Sequence, residues 1–249
     1  MEYSPKKMID KMNENNFGFK KKFGQNFIID ENIINGICSK VDIDNETLVI
    51  EIGPGAGSLT NGLAKYAKNV LCYEIDTTLE NMLQDNLKEY NNIEIIFKDF
   101  LQANVLDDIK KYSYNKLYVV ANLPYYITTP IITKLMKEIY PDKIVIMIQD
   151  EVANRLSAKE GSKDYGMISV LLSSKYDIKK LFKVSRKCFI PEPNVDSAVI
   201  SLTKHDKYNI KDSDIFEKLI KDCFQYKRKN LRNNLKGYDL SIIEDVLSM

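Results

Sequence analysis

Apolar residues come in short, nearly unbroken runs, and the stretches between them have helical spacing. The runs 47–52, 69–76, 93–97, 117–121 and 143–148 have the length and β-branched content of strands buried on both faces. Between them, four helices are expected. One is capped by Ser58 and reaches about Lys68. One spans 77–90, with Leu79, Met82, Leu83 and Leu87 on one face. One lies near 104–112, and one at 128–139 with Pro130 tolerated in its first turn. An earlier helix, N-capped by Asp30 and striped by Ile33, Ile34 and Ile37, precedes the first run. This alternation predicts a doubly wound, largely parallel α/β sheet. Residues 163–167 then read as a loop before a helix to about Lys175, and 178–187 and 197–203 as two further strands. Residues 204–211 are a polar linker. Beyond it, Ile215-Phe216, Leu219-Ile220 and Cys223-Phe224 repeat at helical spacing. The chain thus divides into a flexible polar segment (1–19), an α/β unit (20–204) and a small basic helical unit (205–249).

In an open α/β sheet, ligands bind beyond the carboxyl ends of the strands. Four polar signals fall on that edge. Gly53-Pro54-Gly55-Ala56-Gly57 follows the first strand. Glu74 closes the second, about twenty residues past the glycine turn, where such folds hold a ribose. Asp99 follows the third. Asn122-Leu123-Pro124-Tyr125 follows the fourth. That tetrapeptide suits a planar base. The Asn carbonyl accepts from an exocyclic amine, Pro fixes φ and removes a donor, and Tyr can stack on the ring. The turn reads G-x-G-x-G, with Glu51 ahead of it and Ser58 where the dehydrogenase fingerprint has its last Gly. No P-loop Lys is present. The pattern tilts away from NAD and ATP and towards S-adenosylmethionine. The loop 188–196, stiffened by Pro191 and Pro193, carries Phe189 in what reads as an exposed position.

Composition narrows the classes. With 249 residues, 44% hydrophobic and 29% charged, the chain can build an ordinary core. No apolar run approaches the roughly 18 residues of a membrane span, and no apolar stretch follows the basic residues near Met1, so a cytosolic protein is expected. Cys38, Cys72, Cys188 and Cys223 are scattered and His205 is the single His, which predicts reduced thiols and no metal site. The net charge of +1 is uninformative, but the cationic residues cluster. Lys20-Lys21-Lys22 form one group, Lys179, Lys180, Lys183, Arg186 and Lys187 a second. Lys227-Arg228-Lys229 with Arg232 and Lys236 form a third. Such clusters are consistent with a polyanionic partner.

The segment Glu51-Ile52-Gly53-Pro54-Gly55-Ala56-Gly57 resembles motif I of class I methyltransferases, and Asn122-Leu123-Pro124-Tyr125 resembles the motif of enzymes that methylate an exocyclic adenine amine. The likeness narrows with Phe23-Gly24-Gln25-Asn26-Phe27, with residues 149–156, with Lys163-Asp164-Tyr165-Gly166 and with residues 189–197. Together these are similar to the ribosomal RNA adenine dimethyltransferase family, in its small-subunit (16S) branch, over about residues 20–236. The resemblance implies a Rossmann-like seven-stranded sheet with an antiparallel last strand, followed by a small all-α domain that contacts RNA. It implies S-adenosylmethionine as methyl donor, with S-adenosylhomocysteine as product. Asn26, Ile28, Gly53, Glu74, Asp99 and Asn122 would bind the cofactor, with Gln25 nearby. Glu74 would take the ribose hydroxyls and Asp99 the cofactor's adenine amine. Asn122, Leu123, Pro124, Tyr125 and Phe189 would form the catalytic pocket, with Tyr125 and Phe189 sandwiching the target base.

The implied reaction is dimethylation of two adjacent adenosines in a 3′-terminal hairpin loop of 16S rRNA. The implied partner is that RNA within an immature small ribosomal subunit, with neither DNA nor membrane involved and the enzyme a monomer. Family members usually continue further through the helical domain than Met249, so a naturally short or trimmed domain is expected here. Rival readings are the large-subunit (23S) macrolide-resistance branch, a DNA adenine methyltransferase, a dehydrogenase, and a largely non-catalytic ribosome-assembly factor. Leu123, where DNA enzymes usually carry a second Pro, and the glycine spacing weigh against the middle two.

Overall fold

Apolar runs without polar interruption need shielding on both faces, and the sheet they form dominates the architecture. The computed structural model describes residues 24–226 and 228–239, together with positions 10, 18, 20, 241, 242 and 245. In chain order the elements begin with β1 (Phe27–Ile28), α1 (Glu31–Val41), β2 (Thr47–Ile52), α2 (Ser58–Ala64), β3 (Asn69–Glu74), α3 (Glu80–Leu87) and β4 (Ile93–Phe97). They continue with α4 (Val105–Asp108), β5 (Lys116–Asn122), α5 (Thr128–Lys134), β6 (Lys143–Gln149), α6 (Asp150–Leu156), α7 (Met167–Ser173) and β7 (Tyr176–Val184). The last are β8 (Phe189–Ile190), β9 (Ser197–Lys204), α8 (Ser213–Cys223) and α9 (Leu231–Asn234).

Among the described residues, seven strands form one sheet in the order β4-β3-β2-β5-β6-β9-β7. Pairing from β4 to β6 is parallel, and β9 runs antiparallel to both its neighbours. Order reverses between β2 and β5, which places the ligand crevice at their carboxyl ends. Period-two alternation splits the core. Leu48, Ile50, Leu71, Val119 and Ile146 pack under α5 to α7 on one face. Val49, Val70, Val120, Val145 and Met147 pack under α1 and α2 on the other.

Several expectations are corrected in detail. Gly57, in the left-handed region, takes the N-cap position of α2, and Ser58 is its first residue. That helix ends at Ala64 rather than near Lys68. β7 starts at Tyr176 and stops at Val184, because Arg186–Cys188 winds into a 3-10 turn. Three elements had no expectation. α6 follows β6 with no intervening loop. β1 and β8 pair as a short antiparallel ribbon, Phe27 opposite Ile190 and Ile28 opposite Phe189.

Past β9, the Asp212 carboxylate caps α8 by accepting from Asp214 N and Ile215 N. The helix is held to the α/β unit by a Lys137–Glu217 ion pair at 2.9 Å. Phe224 just beyond it meets Tyr165 edge-on at 6.0 Å. The flexible segment expected at 1–19, apart from positions 10 and 18, lies outside the described residues, as do Lys21, Lys22, Phe23 and Lys227. No helix among the described residues is long and apolar enough to cross a membrane.

Ile146 sits in β6 between Ala121 and Ile200 and is fully buried. Ile146→Ala is expected to cost about 2–5 kcal/mol, seen as a lower urea midpoint with an unchanged m-value.

Candidate functional site

The loop leaving β2 is shaped by its neighbours. Gly55 has φ +59°, and a Cβ there would lie 2.9 Å from the Phe27 ring, so no side chain fits. Gly53, at φ +71°, faces open space instead. The backbone there forms a cradle that a ligand can approach closely. Glu74, at the end of β3, ties the loop down: Gly55 N donates to Oε2 at 3.0 Å and Asp76 N to Oε1 at 2.8 Å. Burial pushes the Glu74 carboxyl up from its ordinary range. Each oxygen keeps a further lone pair for a hydroxyl donor.

The arm before α1 crosses this edge. Asn122 Nδ2 donates to the Asn26 carbonyl at 2.9 Å, and Asn26 Nδ2 donates to Gly24 O at 3.1 Å. Gln25 Nε2 donates to Asp76 Oδ2 at 2.7 Å, and Lys20 Nζ to Oδ1 at 2.6 Å. The Asp76 carboxyl is buried, which opposes its charge. The bonds from Lys20, Thr78 and Gln25 outweigh that and hold it below the usual carboxylate range. With Nδ2 engaged, the carboxamide of Asn122 presents Oδ1 as a free acceptor. Beside it, the Pro124 carbonyl is occupied by Ile127 N and Thr128 Oγ1. The Tyr125 hydroxyl is bonded to Ser197 Oγ at 2.8 Å.

Asn26, Ile28, Gly53, Glu74, Asn122, Leu123, Pro124 and Tyr125 line a single cavity, as does Gln25. The sequence signals from three strands and the arm therefore converge. Two predicted residues stand apart. Asp99 lies outside the cavity lining, and its carboxylate caps the following 3-10 turn, accepting from Leu101 N at 2.9 Å and Gln102 Nε2 at 3.2 Å. Phe189 was expected to be exposed but is only 3% accessible. Its pairing with Ile28 turns the ring into the core beside Val184 and Val199. Here it is a packing residue, outside the cavity lining.

Three contributors were not expected at the site. Ile75 lines the cavity and is partly exposed. Asp76 anchors the arm; its place at a strand end was the one visible signal. Ser197 holds Tyr125 across 72 residues of chain, and nothing in the sequence announces that bond.

Glu51 also lines the cavity, yet it is 1% exposed. Burial pushes its carboxyl up to about 8, against the weak Sγ–H donor of Cys72. At neutral pH it keeps its proton.

Comparison with known proteins agrees with this geometry. A family model described as Ribosomal RNA adenine dimethylase matches residues 16–241. A Staphylococcus aureus protein (strain bovine RF122 / ET3-1) named Ribosomal RNA small subunit methyltransferase A is 44% identical over 240 residues, covering 94% of this chain and 81% of its own. The protein of the same name from strain JH9 is 45% identical over 227 residues, 89% of this chain and 76% of that one. Among solved structures, a dimethyladenosine transferase from Plasmodium falciparum superposes with a TM-score of 0.75 at 28% identity, over 84% of this chain and 74% of that one. The 23S rRNA methyltransferase ErmE gives 0.75 at 27% identity, over 90% and 89%.

Sheet order, glycine loop and strand-end cavity define a class I methyltransferase, whose cofactor is S-adenosylmethionine. Within that class, the chain belongs to the ribosomal RNA adenine dimethylase family. The residues present fit the cofactor: an open backbone cradle at Gly53, acceptors on Glu74 for a hydroxyl pair, and apolar Ile28 and Ile75 beside them.

A carboxyl whose pKa rises on folding is protonated in the native state while already ionised in the unfolded chain. Glu51 should therefore lower stability progressively as pH climbs from about 4.5 to about 8. Glu51→Gln is expected to remove this slope and melt higher than the parent at pH 9. Thermal unfolding of both proteins across pH 5–9 checks it.

Proposed function

We propose that this chain dimethylates the N6 amines of two adjacent adenosines in a 3′-terminal hairpin loop of 16S ribosomal RNA. The reading includes the cytoplasm as its place of action and an immature small subunit as its substrate particle, and it takes the enzyme to act as a monomer. Family membership and 44–45% identity to small-subunit methyltransferases support the small-subunit branch over the large-subunit one, where identity to the 23S enzyme is 27%.

The observation that carries the chemistry is the orientation of Asn122. An adenine amine is a poor nucleophile because its lone pair is delocalised into the ring. Bound S-adenosylmethionine supplies an activated methyl on a positively charged sulfur. The protein's task is to aim the amine. Asn122 Oδ1, turned outwards by the bond to Asn26, accepts one amine hydrogen. The Leu123 carbonyl, which meets no donor among the described residues, accepts the other. Both acceptors favour rehybridisation of the nitrogen and hold it in line. The Tyr125 ring, fixed through Ser197, offers a stacking face to a base drawn out of its helix. The first methyl removes one amine hydrogen, so the second transfer proceeds with one of these two bonds lost. Glu74 would take the cofactor's ribose hydroxyls, Gly53 would admit its methionine portion, and Asp99 would take the cofactor's adenine amine.

Residues 205–249 form the RNA-contacting helical domain in this reading. Arg228, Lys229 and Arg232 meet phosphates there, and binding is salt-dependent. Lys229 Nζ stands 4.1 Å above the half-exposed Tyr226 ring, adding an aromatic surface to that patch.

Asn122→Ala should cut methyl transfer at least a hundredfold, while leaving the melting temperature within a few degrees and cofactor binding measurable. Mass spectrometry of unmethylated small-subunit RNA after incubation with S-adenosylmethionine provides the readout. Dimethyladenosine at near-normal yield from the variant would refute the assigned role. Its absence with the parent protein would refute the substrate.

A further inference from the structure

A second cleft opens at the same edge of the sheet, next to the one already described. It lies between the end of β6, the turn after β7 and the loop entering β9, and its volume is about 620 Å³. That is within the range of sites for single small ligands. The two cavities adjoin through the Tyr125–Ser197 bond. Tyr125 lines the first, and Ser197 directly follows Asp196, which lines the second. Backbone bonds hold the junction: Asp150 N donates to Asp196 O at 3.0 Å, and Gln149 pairs with Ser197 across the β6–β9 ladder.

Some polar groups of this cleft build its frame. Arg186 N donates to Asp196 Oδ1 at 3.0 Å, and its guanidinium reaches Asn194 O at 3.1 Å and Glu192 at 3.2 Å. The Asp150 carboxylate is held by Lys180 and Lys183. Other groups are uncommitted. Among the described residues, the side chains of Gln149, Glu151, Lys187 and Asn194 make no hydrogen bond or ion pair, and Val195 is 44% exposed.

This set has a particular chemistry. An ammonium suits one phosphate. Two carboxamides each offer a donor and an acceptor, the combination that reads an adenine edge. An exposed Val offers an apolar surface to a ribose or a ring. A groove serving phosphates alone would be uniformly cationic, and this one contains three carboxylates. An adenine resting on Tyr125 would have this cleft beside it, across Ser197.

We propose that this cleft binds the nucleotide adjoining the target adenosine, its phosphate on Lys187 and its base edge on Gln149 and Asn194. The inference rests on the RNA-methylating reading above and adds a specificity site to it. Selection of a methylatable adenosine then depends on its neighbour as well as on the flipped base.

The experiment compares two kinds of substrate: unmethylated small subunits with their native sequence, and small subunits in which a pyrimidine replaces one or the other of the two adjacent adenosines, the remaining one being the target. For the parent protein, one of the two replacements should lower kcat/KM about tenfold or more. Gln149→Ala with Asn194→Ala should abolish that discrimination. Lys187→Ala should raise KM for the subunit several-fold and lessen the salt slope by about 0.7, whereas Lys68→Ala, on the far side of α2, should not. Cofactor affinity and melting temperature should stay at parental values throughout. If the parent methylates both substrates equally, or the double variant still discriminates, the cleft is not a nucleotide site, though the proposed function stands. A parent protein that methylates neither form of the small subunit overturns both.

Discussion

The hydrogen bond from Asn122 Nδ2 to the Asn26 carbonyl is the constraint on which the site depends. It spans 96 residues of chain at 2.9 Å and joins the arm before α1 to the end of β5. Without it, the carboxamide could rotate and offer a donor where the chemistry needs an acceptor. The arm is itself tethered through Gln25 and Lys20 to Asp76, whose backbone N–H binds Glu74, whose carboxylate binds Gly55. One continuous chain of bonds thus runs from the target acceptor to the glycine loop. Single bonds of this kind contribute about 0.5–1.5 kcal/mol net, and more is lost when a buried partner is orphaned. Their value here is geometric: the groups that face the cofactor and those that face the base cannot move independently.

Electrostatics follows from the same packing. Two carboxyls, Glu51 and Glu74, lie buried beside the glycine loop. Burial raises both, and the difference lies in their partners. Glu74 receives two backbone N–H groups in good geometry, whereas Glu51 has a weak Sγ–H donor from Cys72 at 3.7 Å. Holding both ionised would add like-charge repulsion to two desolvation penalties. Protonating Glu51 relieves the one with fewer hydrogen-bond donors.

Much of this was legible in the sequence because the sheet is buried on both faces. Continuous apolar runs mark such strands, and β2 and β4 fall at the expected residues. Strand ends in a doubly wound sheet share one edge, so Gly53, Glu74 and Asn122 could be placed together before any coordinates. What stayed hidden is long-range and small. The β1–β8 ribbon is two residues per strand and has no periodicity to read. That ribbon turns Phe189 inwards, so an aromatic that looks exposed in a proline-bounded loop is core. Asp99 was placed at the right edge, but its carboxylate closes a local turn, a competition open to any Asp at a strand end. The Ser197 bond depends on register between β6 and β9, which apolar pattern does not specify to the atom.

The antiparallel strand sets the far side of this edge. A parallel strand delivers only its carboxyl end to the functional edge, and the chain then leaves through a helix. Because β9 runs the other way, it delivers its beginning, and with it the whole loop that precedes it. Ser197 is its first residue and meets Tyr125; Asp196, Val195 and Asn194 lie immediately upstream, facing the end of β6. β7, on the other side of β9, returns to the same edge and contributes Ser185 to Lys187. One reversal in the sheet therefore brings a second, polar cleft to the edge that holds the first cavity. The cofactor half is made by parallel strands and glycine turns, as in other nucleotide-binding sheets. The second cleft, and the Ser197 that holds Tyr125, come from the strand that breaks the pattern.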